Sequence, residues 1–534
     1  MLSTNEVRAR AAAFAEEWAD ARYERGEAQS FYNEFFEVFG MRRRRVASFE
    51  EPVRRLGDKR GFLDLFWNGV LLAEHKSGGK DLAKARQQAL AYFPHLRDEE
   101  LPRYLLVCDF QNFELYDLDD GKEAKFRLSQ LPDHIEAFNF IRGLERRVFR
   151  DQDPANIKAA ELVGKLHDAL EESGYSGHHL ERFLVRIVFC LFADDTGIFN
   201  RDIFLDLVER THEDGGDLGS TLNGLFDVLN TPLDRRQKTL AADLAQFDYI
   251  NGELFAEPLR TVSFDGKMRG LLLDACHFNW SVISPAIFGA LFQSVMEPAE
   301  RRRRGAHYTT EQNILKLIRP LFLDRLEAEF AQIKGRRGPD RQRKLAAFQD
   351  KLAGLTFFDP ACGCGNFLIV TYRELRRLEI AVLKELHPVR QQELDVSHLS
   401  KLDVNQFYGI EIEEFSALIA ETAMWMMDHI MNNELSLAFG QNYARIPLKK
   451  SATILNADAL EADWAALLSP ENCSYVLGNP PFSGAKTQSD AQRAQVRRIA
   501  NLGGSGGSLD YVAAWFLKAG MYLARPPARP FFLR

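Results

Sequence analysis

The chain has 534 residues, 46% of them hydrophobic, enough to fill the cores of about three domains of ordinary size. No apolar run approaches a membrane span, Leu2 to Asp20 lacks a signal-peptide core, and six scattered cysteines read as reduced thiols; together these predict a cytoplasmic protein with no membrane partner. A net charge of −8 does not advertise nucleic-acid binding, which leaves Arg42 to Arg45 and Arg301 to Arg304 as local basic candidates, each equally well a solvated run or linker.

In chain order, the first informative stretch follows a Phe/Tyr-rich helix. Arg60-Gly-Phe-Leu-Asp64-Leu-Phe-Trp67 and Val70-Leu-Leu-Ala-Glu74-His-Lys76 read as paired strands, with Glu74 and Lys76 two apart and so on one face. Asp64, Glu74 and Lys76 fit a D-x(n)-E-x-K pattern, in which the two carboxylates hold Mg²⁺ and the lysine orients or activates water. A helix from Asp81 to Tyr92 and strands at Tyr104 to Cys108 and Asn112 to Tyr116 follow, the order of a PD-(D/E)xK nuclease core; Glu34 or Glu37 is a further candidate carboxylate. Alone, an Asp and an ExK on neighbouring strands equally describe solvated charges. Beyond about residue 155 the pattern turns helical, with amphipathic stretches such as Leu180 to Phe192.

From residue 356 the period changes again. Thr356-Phe-Phe-Asp359-Pro360-Ala361-Cys-Gly363-Cys-Gly365-Asn-Phe367 reads as strand, Gly-rich turn and helix. Gly363 and Gly365 let the backbone pass close to a ligand, and the helix N-terminus adds N–H donors. Cys362 and Cys364 have no companion Cys/His pair and read as small loop residues. Gln406 to Ile412 forms a second strand with Glu411 near its end, where doubly wound sheets place an acid for ribose hydroxyls. Ala452 to Asp458 is a third strand-like run, and Tyr475-Val-Leu-Gly-Asn479-Pro480-Pro481-Phe482 a fourth that stops in a stiff turn. Asn479 and the proline carbonyls are acceptors and Phe482 a flat apolar face, a site suited to a planar group with an exocyclic amine; a Pro-Pro turn over a core Phe is the plainer alternative.

These four segments, in this order, resemble the gamma-type N6-adenine DNA methyltransferases. The resemblance implies an S-adenosylmethionine loop at Asp359, Pro360, Ala361, Gly363 and Gly365, a ribose acid at Glu411 and an adenine-ring acid at Asp458. It makes Asn479, Pro480, Pro481 and Phe482 catalytic, and it matches Gly305-Ala-His-Tyr308-Thr309-Thr310 to a segment that closes over the cofactor. Adenine N6 is a poor nucleophile because its lone pair is delocalised; accepting both its hydrogens with Asn479 Oδ1 and the Pro480 carbonyl localises that pair. The base must leave the duplex to arrive there, with Phe482 stacking on it.

With a nuclease-like region ahead of it, the whole chain resembles the MmeI-like (type IIL, within type IIG) restriction–modification enzymes, including the phrase Phe189-Cys-Leu-Phe-Ala-Asp-Asp-Thr-Gly-Ile-Phe199. The implied architecture is a Rossmann-like methyltransferase core at 301–534, preceded by a helical spacer at 155–300 and an α/β PD-(D/E)xK nuclease-like domain at 1–150. The implied partner is double-stranded DNA, with S-adenosylmethionine and Mg²⁺ as cofactors. In that family more sheet strands and a target recognition domain follow, whereas this chain stops in a Pro/Arg-rich tail, Arg525 to Arg534; the expectation is a truncated or split product with recognition missing or separate. Gly503 to Gly507 reads as a mobile loop near a DNA cleft or a plain connector. Methylation of a protein glutamine or RNA adenine, and a non-enzymatic remnant that binds DNA or cofactor, remain the alternatives.

Overall fold

The computed structural model describes residues 2, 4–21, 24–43, 47–54, 60–67, 70–90, 102–118, 122–142, 154–250, 253–287, 309–338, 340–387, 399–439, 452–501 and 509–524. Arg44, Arg45, Tyr92, Arg301 to Arg304, Tyr308 and Gly503 to Gly507 lie outside them. The chain divides into two compact units, Met1–Arg147 with Gly440–Asn442, and Val148–Phe439 with Tyr443–Arg534.

In the first unit, helices α1 (Thr4–Glu17) and α2 (Glu24–Val38) precede a six-stranded sheet. Its strands β1 (Ser48–Arg54), β2 (Arg60–Trp67), β3 (Leu71–His75), β4 (Tyr104–Cys108), β5 (Asn112–Asp117) and β6 (Glu123–Arg127) lie in space in sequence order. All neighbours are antiparallel except β3 and β4, which pair in parallel from Leu71↔Tyr104 to His75↔Cys108. A parallel pair cannot be closed by a hairpin, and α3 (Leu82–Leu90) lies in the crossover. Both strands are buried at every position because both faces are covered. Leu71, Ala73, Leu106 and Cys108 join an aromatic core with Phe31, Phe35 and Phe36 of α2. Leu72, Leu105 and Val107, one residue out of phase, pack under Ala85 and Ala89 of α3.

The second unit opens with helices α4 (Pro154–Glu172), α5 (His178–Thr196), α6 (Ile203–Glu209), α7 (Leu218–Asn230) and α8 (Gly266–Cys276). The expected amphipathic pattern of α5 is not what packs: Phe183 through Asp194 are all buried, Arg186 included, so this stretch is enclosed on every side and runs through the core. The family phrase at its end is structural. Asp194 accepts from Phe204 N and Leu205 N at 3.1 and 3.2 Å at the start of α6, and burial pushes its carboxyl up to about 7. Asp195 accepts from Trp280 N at 2.6 Å, and Gly197, at φ +82°, ends the helix in the left-handed region.

Helices α9 (Glu311–Ile318), α10 (Asp324–Lys334) and α11 (Asp340–Ala353) lead into a four-stranded parallel sheet, ordered β10-β7-β8-β9. The strands are β7 (Phe357–Asp359), β8 (Phe407–Glu411), β9 (Thr453–Asn456) and β10 (Tyr475–Val476), with α12 (Asn366–Leu386) and α13 (Glu414–Phe439) as crossovers. Adjacent residues serve opposite faces. Phe357 and Phe407 belong to one cluster with α12 and α13, while Phe358 and Ile410 pack with Trp464, Val496 of α14 (Asp490–Ala500) and Trp515 of α15 (Ala513–Leu523). The first cluster runs without interruption from Ala159 to Leu477. The spacer helices and one face of the sheet therefore share a core: the Thr196 carbonyl lies 2.9 Å from His429 Nε2 and 3.2 Å from Asn433 Nδ2 of α13.

Candidate active sites

The parallel sheet gathers its polar residues at the carboxyl ends of the strands, where ligands bind in open α/β sheets. Asp359 ends β7 and is 1% exposed; its Oδ1 accepts from Ala361 N at 3.1 Å, while Oδ2 is buried with no hydrogen-bond partner. Burial first, and then the nearby Glu411 charge, push this carboxyl up to about 8. Cys362 N donates to Ile410 O at 3.1 Å and Trp515 Nε1 to Pro360 O at 3.1 Å, so the loop is stitched to β8 and α15. Gly363, at φ +54°, has open space where a Cβ would sit, and its N–H donates to Glu411 Oε2 at 2.9 Å. Gly365, at φ +83°, caps α12 against Ala420 of α13.

Glu411 ends β8, and its second oxygen accepts from Glu413 N at 3.0 Å; burial raises its pKa. Asp458 stands two residues past β9, on a loop joined to β8 by Ala457 N donating to Glu411 O at 2.9 Å. Its carboxylate accepts from Leu460 N at 2.8 Å and from Gln495 Nε2 of α14 at 2.7 Å. Gln495 in turn accepts from Tyr511 at 2.6 Å.

Beyond β10, Gly478 brings the Asn479 loop against Asp359. It adopts φ +151°, and a Cβ there would lie 2.3 Å from Asp359 Oδ1. Asn479 Nδ2 donates to Thr309 Oγ1 at 3.0 Å, which leaves Oδ1 as the acceptor facing outward. Phe482 is 63% exposed. Pro480 and Pro481 stiffen the turn between them, and Ser483 is held by Asp510 and by Tyr511 N. Gly363 thus bonds Glu411 directly, Asp359 lies close enough to feel the Glu411 charge, Asp458 follows the residue that bonds the Glu411 carbonyl, and Asn479 meets Thr309. Tyr308 is outside the described residues.

In the first unit, Lys76 Nζ donates to Glu74 Oε1 at 2.7 Å, with Glu74 1% exposed, and Asp64 Oδ2 accepts from His75 N at 2.7 Å. The β2/β3 register, Leu65↔Ala73, continues to place Asp64 opposite Glu74, on the α3 face. No third carboxylate, imidazole or thiol forms a metal-ligating group with them among the described residues. Glu34 accepts from Trp18 Nε1 at 2.7 Å instead, and Glu37 is exposed; both sit on α2, which packs on the opposite face, so the expected extra carboxylate is not supplied there. His75, between the two motif residues, faces that aromatic core, and burial lowers its pKa to about 3. Arg43 stacks 3.8 Å over Phe49 and donates to Asn33 Oδ1 and Ala47 O, a structural role rather than a free basic patch.

Three family models cover most of the chain: the MmeI N-terminal domain matches residues 9–173, the MmeI helicase spacer domain 178–255, and the MmeI DNA-methyltransferase domain 336–533. The chain belongs to the MmeI family. DNA methyltransferase A of Bacillus subtilis (strain 168) is 35% identical over 441 residues, 81% of this chain and 49% of that protein. A putative type II restriction enzyme and methyltransferase of Methanocaldococcus jannaschii is 25% identical over 291 residues, 45% of this chain and 24% of its own length. The solved structure of the type IIL restriction–modification enzyme MmeI in complex with DNA is 55% identical, with TM-score 0.65, over 69% of this chain and 48% of that one. The chain spans about half the length of DNA methyltransferase A and of MmeI.

Two residues of this MmeI-family site, Gly409 and Gln495, escape sequence reasoning, and Thr309, expected at the cofactor, is found against Asn479. Gly409 lies in the β8 motif because a Cβ would meet Cys362 Sγ and Ile454 at 2.8 Å. Gln495 and Thr309 reach their partners only through tertiary folding. No helix among the described residues is long and apolar enough to cross a membrane.

Proposed function

We propose that the second unit transfers a methyl group from S-adenosylmethionine to adenine N6 in double-stranded DNA, and that the first is a Mg²⁺-dependent endonuclease of the same restriction–modification protein. The single observation that carries the first half is the meeting of Asn479, held with Oδ1 outward, and the Asp359 loop across Gly478. The residues suit the cofactor: a buried carboxyl oxygen of Asp359 without a partner, open space at Gly363, and acids at the ends of successive parallel strands. When bound, S-adenosylmethionine supplies an electrophilic methyl on a sulfonium.

The chain's own part is positioning and charge. Glu411 and Asp458 would hold the ribose hydroxyls and the ring amine of the cofactor, and the 359–365 loop would lie against it. Asn479 Oδ1 and the Pro480 carbonyl accept the two N6 hydrogens of an extruded adenine, and Phe482 stacks on it. With the cofactor bound, the N6 lone pair so localised would take the methyl as its bond to sulfur breaks, the electrons staying on sulfur, and the surplus N6 proton would pass to water. In the first unit Asp64 and Glu74 would hold Mg²⁺, and Lys76 would orient the attacking water. The division into 1–150, 155–300 and 301–534, and a cytoplasmic location where cellular DNA is reached, belong to the same reading. The nuclease-like motif supports DNA over protein glutamine as the substrate.

Asn479→Ala tests it. Tritiated methyl incorporation into duplex DNA by the full-length protein should fall by roughly 10²–10³-fold or more, as for loss of one preorganised transition-state contact. Calorimetric affinity for S-adenosylmethionine should stay within about 2-fold, because the contact is to the acceptor base. Undiminished incorporation refutes the assignment.

A further inference from the structure

We propose that Thr309 is a positioning residue for Asn479, fixing which end of its amide faces the target base; this rests on the methyltransferase reading above. The two ends of an asparagine amide have nearly the same shape and opposite hydrogen-bonding character. Rotated by half a turn, Asn479 would present two N–H donors to an amine that must itself donate. Asn479 is exposed, so packing does not choose between the two states. The Thr309 hydroxyl does, because Nδ2 donates to Oγ1 at 3.0 Å while Oδ1 is left to accept. Thr309 can also donate, but only the arrangement in which it accepts satisfies the Asn479 amide and the target amine together.

Thr309 can act this way because the chain beside it is anchored. Thr310 is the N-cap of α9, accepting from Asn313 N at 3.4 Å. The next residue, Glu311, is buried and accepts from Arg373 at 2.6 Å. Arg373, 1% exposed, stands on α12, the helix that begins at Gly365 of the glycine loop. A buried pair of this kind is strongly destabilising to break from one side. The same helix therefore carries the glycine loop at its start and holds, through Arg373 and Glu311, the residue that orients the amide. Assembly of the cofactor site and orientation of Asn479 become one structural event.

The test uses the full-length protein and duplex DNA from a host lacking the gene. Thr309→Val keeps the shape and removes the hydroxyl; Thr309→Ser keeps the hydroxyl. Expected for Thr309→Val is a roughly 10-fold fall in kcat at saturating S-adenosylmethionine, the equivalent of one neutral hydrogen bond. Calorimetric affinity for the cofactor should stay within about 2-fold, and Thr309→Ser should restore kcat. Asn479→Ala runs in parallel. If Asn479→Ala is inactive and Thr309→Val turns over like wild type, the inference falls and the assignment of Asn479 stands. If Thr309→Val instead weakens cofactor binding with kcat intact, Thr309 is a cofactor contact and the inference is again overturned. If Asn479→Ala itself methylates normally, it is the underlying reading that fails.

Discussion

The two sheets solve the problem of a charged site differently. In the first unit the motif's charges engage within the fold: Glu74 is buried but receives Lys76, and Asp64 receives the His75 N–H. In the second, the charge that buried Asp359 feels is that of another acid, Glu411, which together with burial makes its ionisation harder. A divalent cation placed between carboxylates neutralises them on arrival, so a waiting lysine is an adequate stand-in. A neutral-to-cationic organic cofactor held by hydrogen bonds gains more from donors and acceptors already aimed and desolvated.

The largest effect that would break this comparison is loss of the carboxylate proposed to hold the metal. Asp64→Ala should abolish Mg²⁺-dependent cleavage by the full-length protein, well beyond the roughly 10–100-fold that accompanies loss of a group merely supporting a ligand. Methyl incorporation should be unchanged. Lys76→Ala should slow cleavage by about 10²-fold, since water activation suffers but the carboxylates remain. Cleavage that survives both substitutions would make Asp64, Glu74 and Lys76 a structural charge cluster with no part in cleavage.

Gly478→Ala sharpens the other side. The methyl group would enter 2.3 Å from Asp359 Oδ1 at a backbone angle that disfavours side chains. Relief requires moving either Asp359 or the Asn479 loop, at a cost of about 1–3 kcal/mol. Melting temperature and cofactor affinity should fall together in the second unit while nuclease activity persists. An unaltered affinity would show that the two loops are not in register.

The smallest effect is one of sign. His75 has its folded pKa lowered to about 3, so the folded first unit binds fewer protons than the unfolded chain between about pH 6.5 and pH 3. Its stability is complete above the unfolded value and is lost as pH falls through that window. Asp359 and Asp194, raised to about 8 and about 7, do the reverse: the folded second unit holds protons that the unfolded chain has released. Their stability is greatest below about pH 4 and declines as pH rises to those values. Asp359→Asn should therefore raise the cofactor-free melting temperature more at pH 8 than at pH 5, and His75→Phe should flatten the acid limb of the first unit. Equal shifts at both pH values would mean that Asp359 is not a buried acid.

Much of the fold is legible in the order of the residues alone. Period-2 and period-3.6 patterns predict β2, β3, β7, β8 and α12 within a few residues, because strands and helices impose those periods on any buried face. The Gly-rich loop and the Asn-Pro-Pro turn are equally local, since backbone freedom and proline geometry act between neighbours in sequence. The helical character of Leu180 to Phe192 in α5 is readable in the same way, but its burial on every side is not: that depends on which helices surround it, and a pattern within one helix does not record its neighbours.

What the sequence by itself determined is therefore the identity of the chemical groups and the elements that carry them. What the tertiary structure decided is which groups meet. Glu34 looks available to the nuclease motif, yet it satisfies Trp18, because α2 packs on the other face of the sheet. Asp458 looks free for a cofactor, yet it already shares Gln495, and Asn479 finds its orienting hydroxyl in a residue 170 positions earlier. A hydrogen bond is a short-range, directional interaction. Between residues so distant along the chain it exists only once the core that runs from Ala159 to Leu477 has brought their elements together.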